Sequence, residues 1–216
     1  MQITKLKNII SSIAIILLLS SCVETIIGGS LVGAYVASRE KTLSSTASDI
    51  KIATIMGSNF IAKNLKNPSS SVDITVNEGR VLLTGIVRDP KKARTAIDTA
   101  WQVKDVREVI DEIQIARDSK LRPKDISKSV LDYSLTAKVE AKLLISKNVK
   151  TKNYKITTVD KTVYILGVAQ DQEELNAVLQ KISHVIGVER VVNHVILRDD
   201  ARRDWGYNIW LSLKFL

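Results

Sequence analysis

Cysteine is all but missing from this chain: Cys22 is the only one among 216 residues. Disulfide stapling is therefore excluded, and any folded unit must stand on burial alone. Histidine is nearly as scarce, with only His184 and His194. No metal-ligand spacing, glycine-rich phosphate loop or nucleophile elbow occurs. The expectation is a protein that is not an enzyme and uses no cofactor, no metal and no small-molecule substrate. Aromatic residues make up 5% of the chain, with Trp101, Trp205 and Trp210 the only tryptophans. Long apolar runs are also lacking. The apolar stretch from Ile9 to Leu19, broken only by Ser11 and Ser12, falls well short of the roughly 20 residues of a membrane-spanning helix.

That short run has a different meaning at the start of a chain. Lys5 and Lys7 precede it, and Leu19-Ser20-Ser21-Cys22 closes it. A basic start, a short greasy core and small residues before a cut make a secretory signal peptide over residues 1–21. The last four residues resemble a bacterial lipobox, in which the cysteine carries acyl chains (a palmitate modification) and becomes residue one. The alternatives are a secretory peptide with a chance cysteine, or an uncleaved anchor. A lone thiol in an exported chain has no disulfide partner, which favours lipidation of Cys22. Several acyl chains give stable attachment where one is marginal. Val23 follows the cysteine, where Asp would signal inner-membrane retention. The expectation is a lipoprotein anchored in the outer membrane and facing the periplasm.

Residues 22–48 then read as a tether. Gly28, Gly29 and Gly33 lie in a small, apolar stretch, and 38–48 is serine-rich. Without residues 1–21, the net charge falls from +9 to +7, because only Lys5 and Lys7 are lost. Such a charge would point to nucleic acid in a cytoplasmic protein. Behind an export signal it points instead to phospholipid headgroups, lipopolysaccharide or peptidoglycan.

Sliding the chain against itself exposes a repeat. Residues 72–115 align with 154–197 at an offset of 82, pairing Ile74 with Ile156, Val81 with Val163, Gly85 with Gly167, Asp89 with Asp171 and Val109 with Val191. Upstream the offset is 83, pairing Asp49 with Asp132, Ile52 with Leu135, Met56 with Val139 and Phe60 with Leu143. The plan is two modules, 49–115 and 130–197, joined by a linker at 116–129 and followed by an aromatic tail at 198–216.

Each copy reads helix, strand, strand, helix, strand. Ile52, Met56 and Phe60 recur at helical spacing within about 49–65. Val72, Ile74 and Val76 alternate with polar residues as a half-buried strand. Asn77-Glu78-Gly79 is hairpin chemistry, and Gly85 and Gly167 suggest a bulge or a helix packed close to the backbone. Asp89 before Pro90, and Asp171, start the second helix of each copy. Gly187 ends one of these helices as a left-handed cap would, with Asp105 at the same place in the first copy. The expected fold is α+β: two tandem αββαβ modules, each a small mixed sheet with two helices packed on one face.

These pieces carry a family resemblance. Val81-Leu82-Leu83-Thr84-Gly85, Val163-Tyr164-Ile165-Leu166-Gly167 and Gly187-Val188-Glu189-Arg190-Val191-Val192-Asn193, in this order behind a lipobox, resemble the BON domain and outer-membrane lipoproteins built from two of them. The resemblance implies phospholipid binding through the first helix of the second module.

The distribution of charge agrees with that implication. Residues 49–115 hold 10 basic and 9 acidic side chains, whereas 120–161 hold 11 basic and 4 acidic. Each Lys or Arg near an anionic membrane is worth about 1 kcal/mol. The expected contact is Tyr133, Ser134, Lys138 and Lys142 on a helix over 130–146, with the tyrosine ring buried shallowly among lysines. The function expected is binding of an anionic phospholipid membrane in support of outer-membrane integrity, with no nucleic-acid partner. The rivals are an adaptor for an envelope protein or peptidoglycan, and a periplasmic stress chaperone. The dense aromatic and apolar residues of the tail suggest docking, either on the protein's own domains or on a membrane or partner.

Overall fold

The computed structural model describes residues 43–67, 70–116 and 126–203, all within one compact unit, residues 39–216. The first module runs α1 (Leu43–Ala62), β1 (Lys66–Asn67), β2 (Ser70–Asn77), β3 (Arg80–Val87), α2 (Pro90–Trp101) and β4 (Glu108–Ile115). The second runs α3 (Ile126–Leu144), β5 (Tyr154–Val159), β6 (Thr162–Ala169), α4 (Gln172–Ser183) and β7 (Arg190–Leu197). The signal sequence with Cys22, the tether up to residue 42, and the tail from residue 204 lie outside the described residues.

In both modules the hairpin is antiparallel and the strand after the crossover helix pairs in parallel with its second arm. The fold is α+β, as the repeat implies. One detail breaks the equivalence. The first sheet gains β1 on the edge of β2, through Lys66↔Ser71 and Asn67↔Ser70. The second has only a 3₁₀ turn, Thr151–Asn153, ahead of β5. Helix α1 also starts earlier than its apolar stripe announces. It takes in the serine-rich stretch from Leu43, where no glycine or proline stops it.

The inward stripes close two cores. Ile52, Met56 and Phe60 of α1 pack with Val72, Val81, Leu83 and Ala96. In the second module Val139 and Leu143 of α3 pack with Val163, Ile165, Val178 and Ile182. The caps are where the sequence puts them. Asp89 accepts from the Lys91 N–H at 2.9 Å, and Asp171 from the Glu174 N–H at 2.8 Å. Gly187 is not itself the cap of α4. The helix ends at Ser183 with His184 as its C-cap, and Gly187 (φ +103°) sits in the following turn, as does Asp105 (φ +70°) in the first module.

The paired strand glycines answer to a different neighbour than a helix. A Cβ on Gly85 would run into the Ser71 carbonyl and come within 3.3 Å of the Val72 Cα. One on Gly167 would run into the Asn153 carbonyl and come within 3.0 Å of the Tyr154 Cα. Both glycines admit the backbone of the adjacent hairpin strand.

The second face of each sheet is buried as well. Leu82, Tyr164, Leu166 and Val159 form a third cluster, with Ile86, Ile110 and Val192 packed against it. The two sheets thus meet face to face with helices outside, giving four layers. Polar contacts cross this seam. Arg80, only 4% exposed, pairs with Glu108 and donates to the His194 carbonyl at 2.9 Å. Gln114 donates to the Tyr164 hydroxyl at 3.1 Å, and Asn77 to the Asn153 carbonyl at 3.2 Å. Glu112 and His194, equivalent positions of the two copies, meet with Oε1 and Nε2 2.9 Å apart. Both cores and this seam close within residues 39–216, so that stretch is a self-sufficient folding unit.

Candidate functional site

Helix α3 is held by one flank. Asp132 accepts from the N–H groups of Asp160 and Lys161 at 2.8 and 3.0 Å, clamping the helix to the β5–β6 turn. Thr136 donates to the Thr158 hydroxyl of β5 at 2.8 Å. Leu135, Val139 and Leu143 fill the core beneath. These contacts fix which side of α3 faces solvent.

That outer side carries several apolar residues. Val130, Leu131, Tyr133, Leu144 and Ile145 are all exposed, Tyr133 at 78%. Lys138 and Lys142 are exposed too. Being four residues apart, they stack on one flank. Tyr133, five residues before Lys138, falls across the helix on its outer ridge at 100° per residue. The structure therefore separates the tyrosine from the two lysines expected around it. The Ser134 hydroxyl is already used, donating to the Leu131 carbonyl at 2.8 Å. Of the four expected contact residues, only Lys138 and Lys142 lie side by side.

Elsewhere in the basic stretch, Lys161 is engaged by Glu189, Nζ to Oε1 2.6 Å. This bond and the carboxylate's charge raise its pKa above the ordinary lysine value. Behind α3, burial and then the neighbouring Glu174 carboxylate push the Tyr154 phenol far above its usual range. Glu174 is itself buried, accepting from the backbone N–H groups of Lys150 and Gln170 at 2.7 and 2.8 Å, and so ties the loop before β5 to the start of α4. Neither Tyr154 nor Glu174 faces solvent as a reactive side chain would. Among the described residues no cluster of three His, Cys, Asp or Glu could hold a metal ion, and no helix is long and apolar enough to cross a membrane.

The BON domain pattern matches twice, over residues 51–117 and 132–199. The chain belongs to the BON-domain family. The chain is also similar to other proteins. An uncharacterised protein encoded in the gshII 5′ region of Anaplasma centrale is 38% identical over 134 residues, 62% of this chain and 86% of that one. The outer membrane lipoprotein DolP of Haemophilus influenzae is 29% identical over 193 residues, 89% of this chain and 96% of that one. A solved structure of CdsD, a structural protein of the type III secretion system of Chlamydia trachomatis, spans 74% of this chain and 98% of its own at 13% identity. Its TM-score of 0.30 is too low to bear on the fold.

Two features of the BON modules were not read from the sequence as roles. Asp49 and Asp132 align in the repeat, and each caps the hairpin turn of its module. Asp49 accepts from the Glu78 and Gly79 N–H groups at 2.9 and 2.8 Å, as Asp132 does at the second turn. Their recurrence was the available signal. In the turn at 184–187 beside α3 the sequence marks Gly187 but not Ile186, because a lone isoleucine in a turn carries no periodic pattern.

Proposed function

We propose that this chain is a lipid-anchored envelope protein that binds anionic phospholipid through α3 of its second BON module and supports outer-membrane integrity. It acts as a binding protein and not as a catalyst. The observation that carries this reading is the solvent side of α3, where exposed aliphatic residues, Leu131 among them, lie beside the stacked Lys138 and Lys142 and Tyr133 stands on the outer ridge. An apolar ridge flanked by lysines suits a helix lying in the headgroup region, with ammonium groups at the level of the phosphates. The likeness to an outer membrane lipoprotein over most of the chain supports the location. Cys22 is the acylation site and holds the modules at the periplasmic face of the outer membrane. Tethering then turns weak headgroup contacts into frequent ones.

Co-sedimentation of residues 39–216 with vesicles tests the lipid contact. Binding should require anionic lipid and fall with added salt. It should weaken about tenfold or more in Lys138→Glu/Lys142→Glu, at about 1 kcal/mol per cation. Binding that ignores salt and lipid charge would instead favour an adaptor for another envelope component. Palmitate labelling of the full chain against Cys22→Ala tests the anchor, and an unlabelled wild type would overturn it.

A further inference from the structure

We infer that Ile186, in the turn after α4, inserts into an anionic bilayer together with Leu131 of α3, and that Lys138 and Lys142 flank this pair. The inference rests on the phospholipid contact proposed above and names a second element of that surface.

Ile186 is 92% exposed, the most exposed large apolar side chain among the described residues, and Leu131 is 61% exposed. The turn that carries Ile186 is ordered by its own hydrogen bonds. The Val185 N–H donates to the Ile182 carbonyl, and the Val188 N–H to the Val185 carbonyl, both at 3.0 Å. Val185 and Val188 pack against the core of the module, leaving Ile186 between them to face outward. The turn lies against α3, since a Cβ on Gly187 would sit 3.5 Å from the Leu135 Cδ1.

Leu131 lies one helical turn before Leu135 on the same row, and Lys138 and Lys142 continue that side of the helix. The other flank is occupied by the bonds of Asp132 and Thr136 to β5 and its turn. Leu131, Ile186 and the two lysines therefore share one side of the module, and Lys181 sits in the last turn of α4 nearby in sequence. Tyr133 lies apart on the outer ridge.

The first module has Ser48 and Lys104 at the places of Leu131 and Ile186. The apolar pair is thus a property of one copy, not of the fold. An aliphatic tip on an ordered turn, with cations beside it, matches a bilayer interface in both polarity and charge. The occupant is an anionic lipid surface.

Residues 39–216 contain no cysteine, so Leu131→Cys, Ile186→Cys and Lys104→Cys can each carry a single polarity-sensitive fluorophore. With vesicles of phosphatidylglycerol and phosphatidylethanolamine, the labels at 131 and 186 should shift to the blue and brighten, while the label at 104 should not. Ile186→Asp should bind these vesicles about tenfold more weakly, as expected when one aliphatic side chain is kept out of hydrocarbon. Its thermal unfolding should match wild type, because the side chain is in water in the free protein. If wild type binds while Ile186→Asp binds equally well, or the label at 186 keeps its spectrum in water, the inference is overturned and the α3 contact stands. If wild type does not bind anionic vesicles, the phospholipid reading fails, and the inference with it.

Discussion

Asp49 and Asp132 make the same two hydrogen bonds to the same hairpin turn in the two modules. Their neighbours toward the lysine-bearing flank of α3 and the turn after α4 differ between the copies. Where the second module shows Lys138, Lys142, Leu131 and Ile186, the first shows Ile55, Asn59, Ser48 and Lys104. The inward positions stay apolar throughout: Ile52, Met56 and Phe60 in one helix, Leu135, Val139 and Leu143 in the other. Duplication preserved what builds the module and released what meets solvent. The difference places the lysine pair and the Leu131–Ile186 pair of one copy on a framework that the other repeats, while both helices keep exposed apolar side chains at two equivalent places, Ile50 and Ile61 in one, Tyr133 and Leu144 in the other.

The framework can be attacked at equivalent points, and the effects should be unequal. Gly85 has φ +120°, and a Cβ there would overlap the Ser71 carbonyl; Gly167 faces a similar approach from the Asn153 carbonyl, but its φ lies outside the left-handed region. Gly85→Ala should therefore cost about 3–5 kcal/mol, overpacking and backbone strain together. Gly167→Ala should cost about 1–3 kcal/mol. Urea unfolding of the two variants measures both, and equal losses would break the distinction.

The turn caps give a second, smaller contrast. Asp49 is 6% exposed, and its removal strands two turn N–H groups, one of them buried. The groups capped by Asp132 are exposed and can turn to water. Asp49→Ala should cost about 2–3 kcal/mol and Asp132→Ala about 1 kcal/mol. Thermal unfolding at fixed pH distinguishes them, and a larger loss in Asp132→Ala would reverse the ranking.

Much of this fold is legible from the repeat. The inward stripes, hairpins and caps at Asp89 and Asp171 come from spacing and local chemistry, which act over a few residues. The face-to-face seam was not read, although it left a mark. β3 and β6 carry apolar residues at consecutive positions, Val81-Leu82-Leu83 and Val163-Tyr164-Ile165-Leu166, as strands covered on both faces do. A fold with helices on one face leaves the other to be covered, and that second cover is the sister module. The candidate site was legible as a helix but not as a surface. Helical spacing separates Tyr133 from Lys138, while the turn bearing Ile186 reaches α3 only through tertiary packing.

The seam also closes through the 3₁₀ turn after β7, Ala201–Arg203. Arg203 meets Glu78 of the first hairpin through two bonds, Nε to Oε2 at 2.9 Å and Nη2 to Oε1 at 3.1 Å. Both side chains are largely buried, so Arg203→Ala should cost about 1–2 kcal/mol, within the range for charged hydrogen bonds. The loss should appear as faster hydrogen exchange along the seam strands, with the two cores less affected. Uniform acceleration in both cores would mean that the modules are one cooperative block and not two joined copies.

The smallest contrast is one of pH, just before this closure. Asp200 accepts from the Arg202 guanidinium at 2.9 and 2.7 Å. That hydrogen bonding, with the charge of Arg202 behind it, lowers the carboxyl pKa from 3.8 to about 2. The fold thus favours the ionised form. Its contribution is fully present above about pH 4 and is lost as pH falls toward 2. Arg202 also reaches toward Glu108 of the first module at 3.8 Å, so acid should loosen the end of the second module from its neighbour. The pair is largely open to water, which makes the effect slight and sensitive to salt. Asp200→Asn should remove this part of the acid dependence and leave stability at pH 7 little changed. Unfolding midpoints of both proteins between pH 4 and pH 2 provide the check. Parallel curves would show that Asp200 is not what couples the end of the second module to acid.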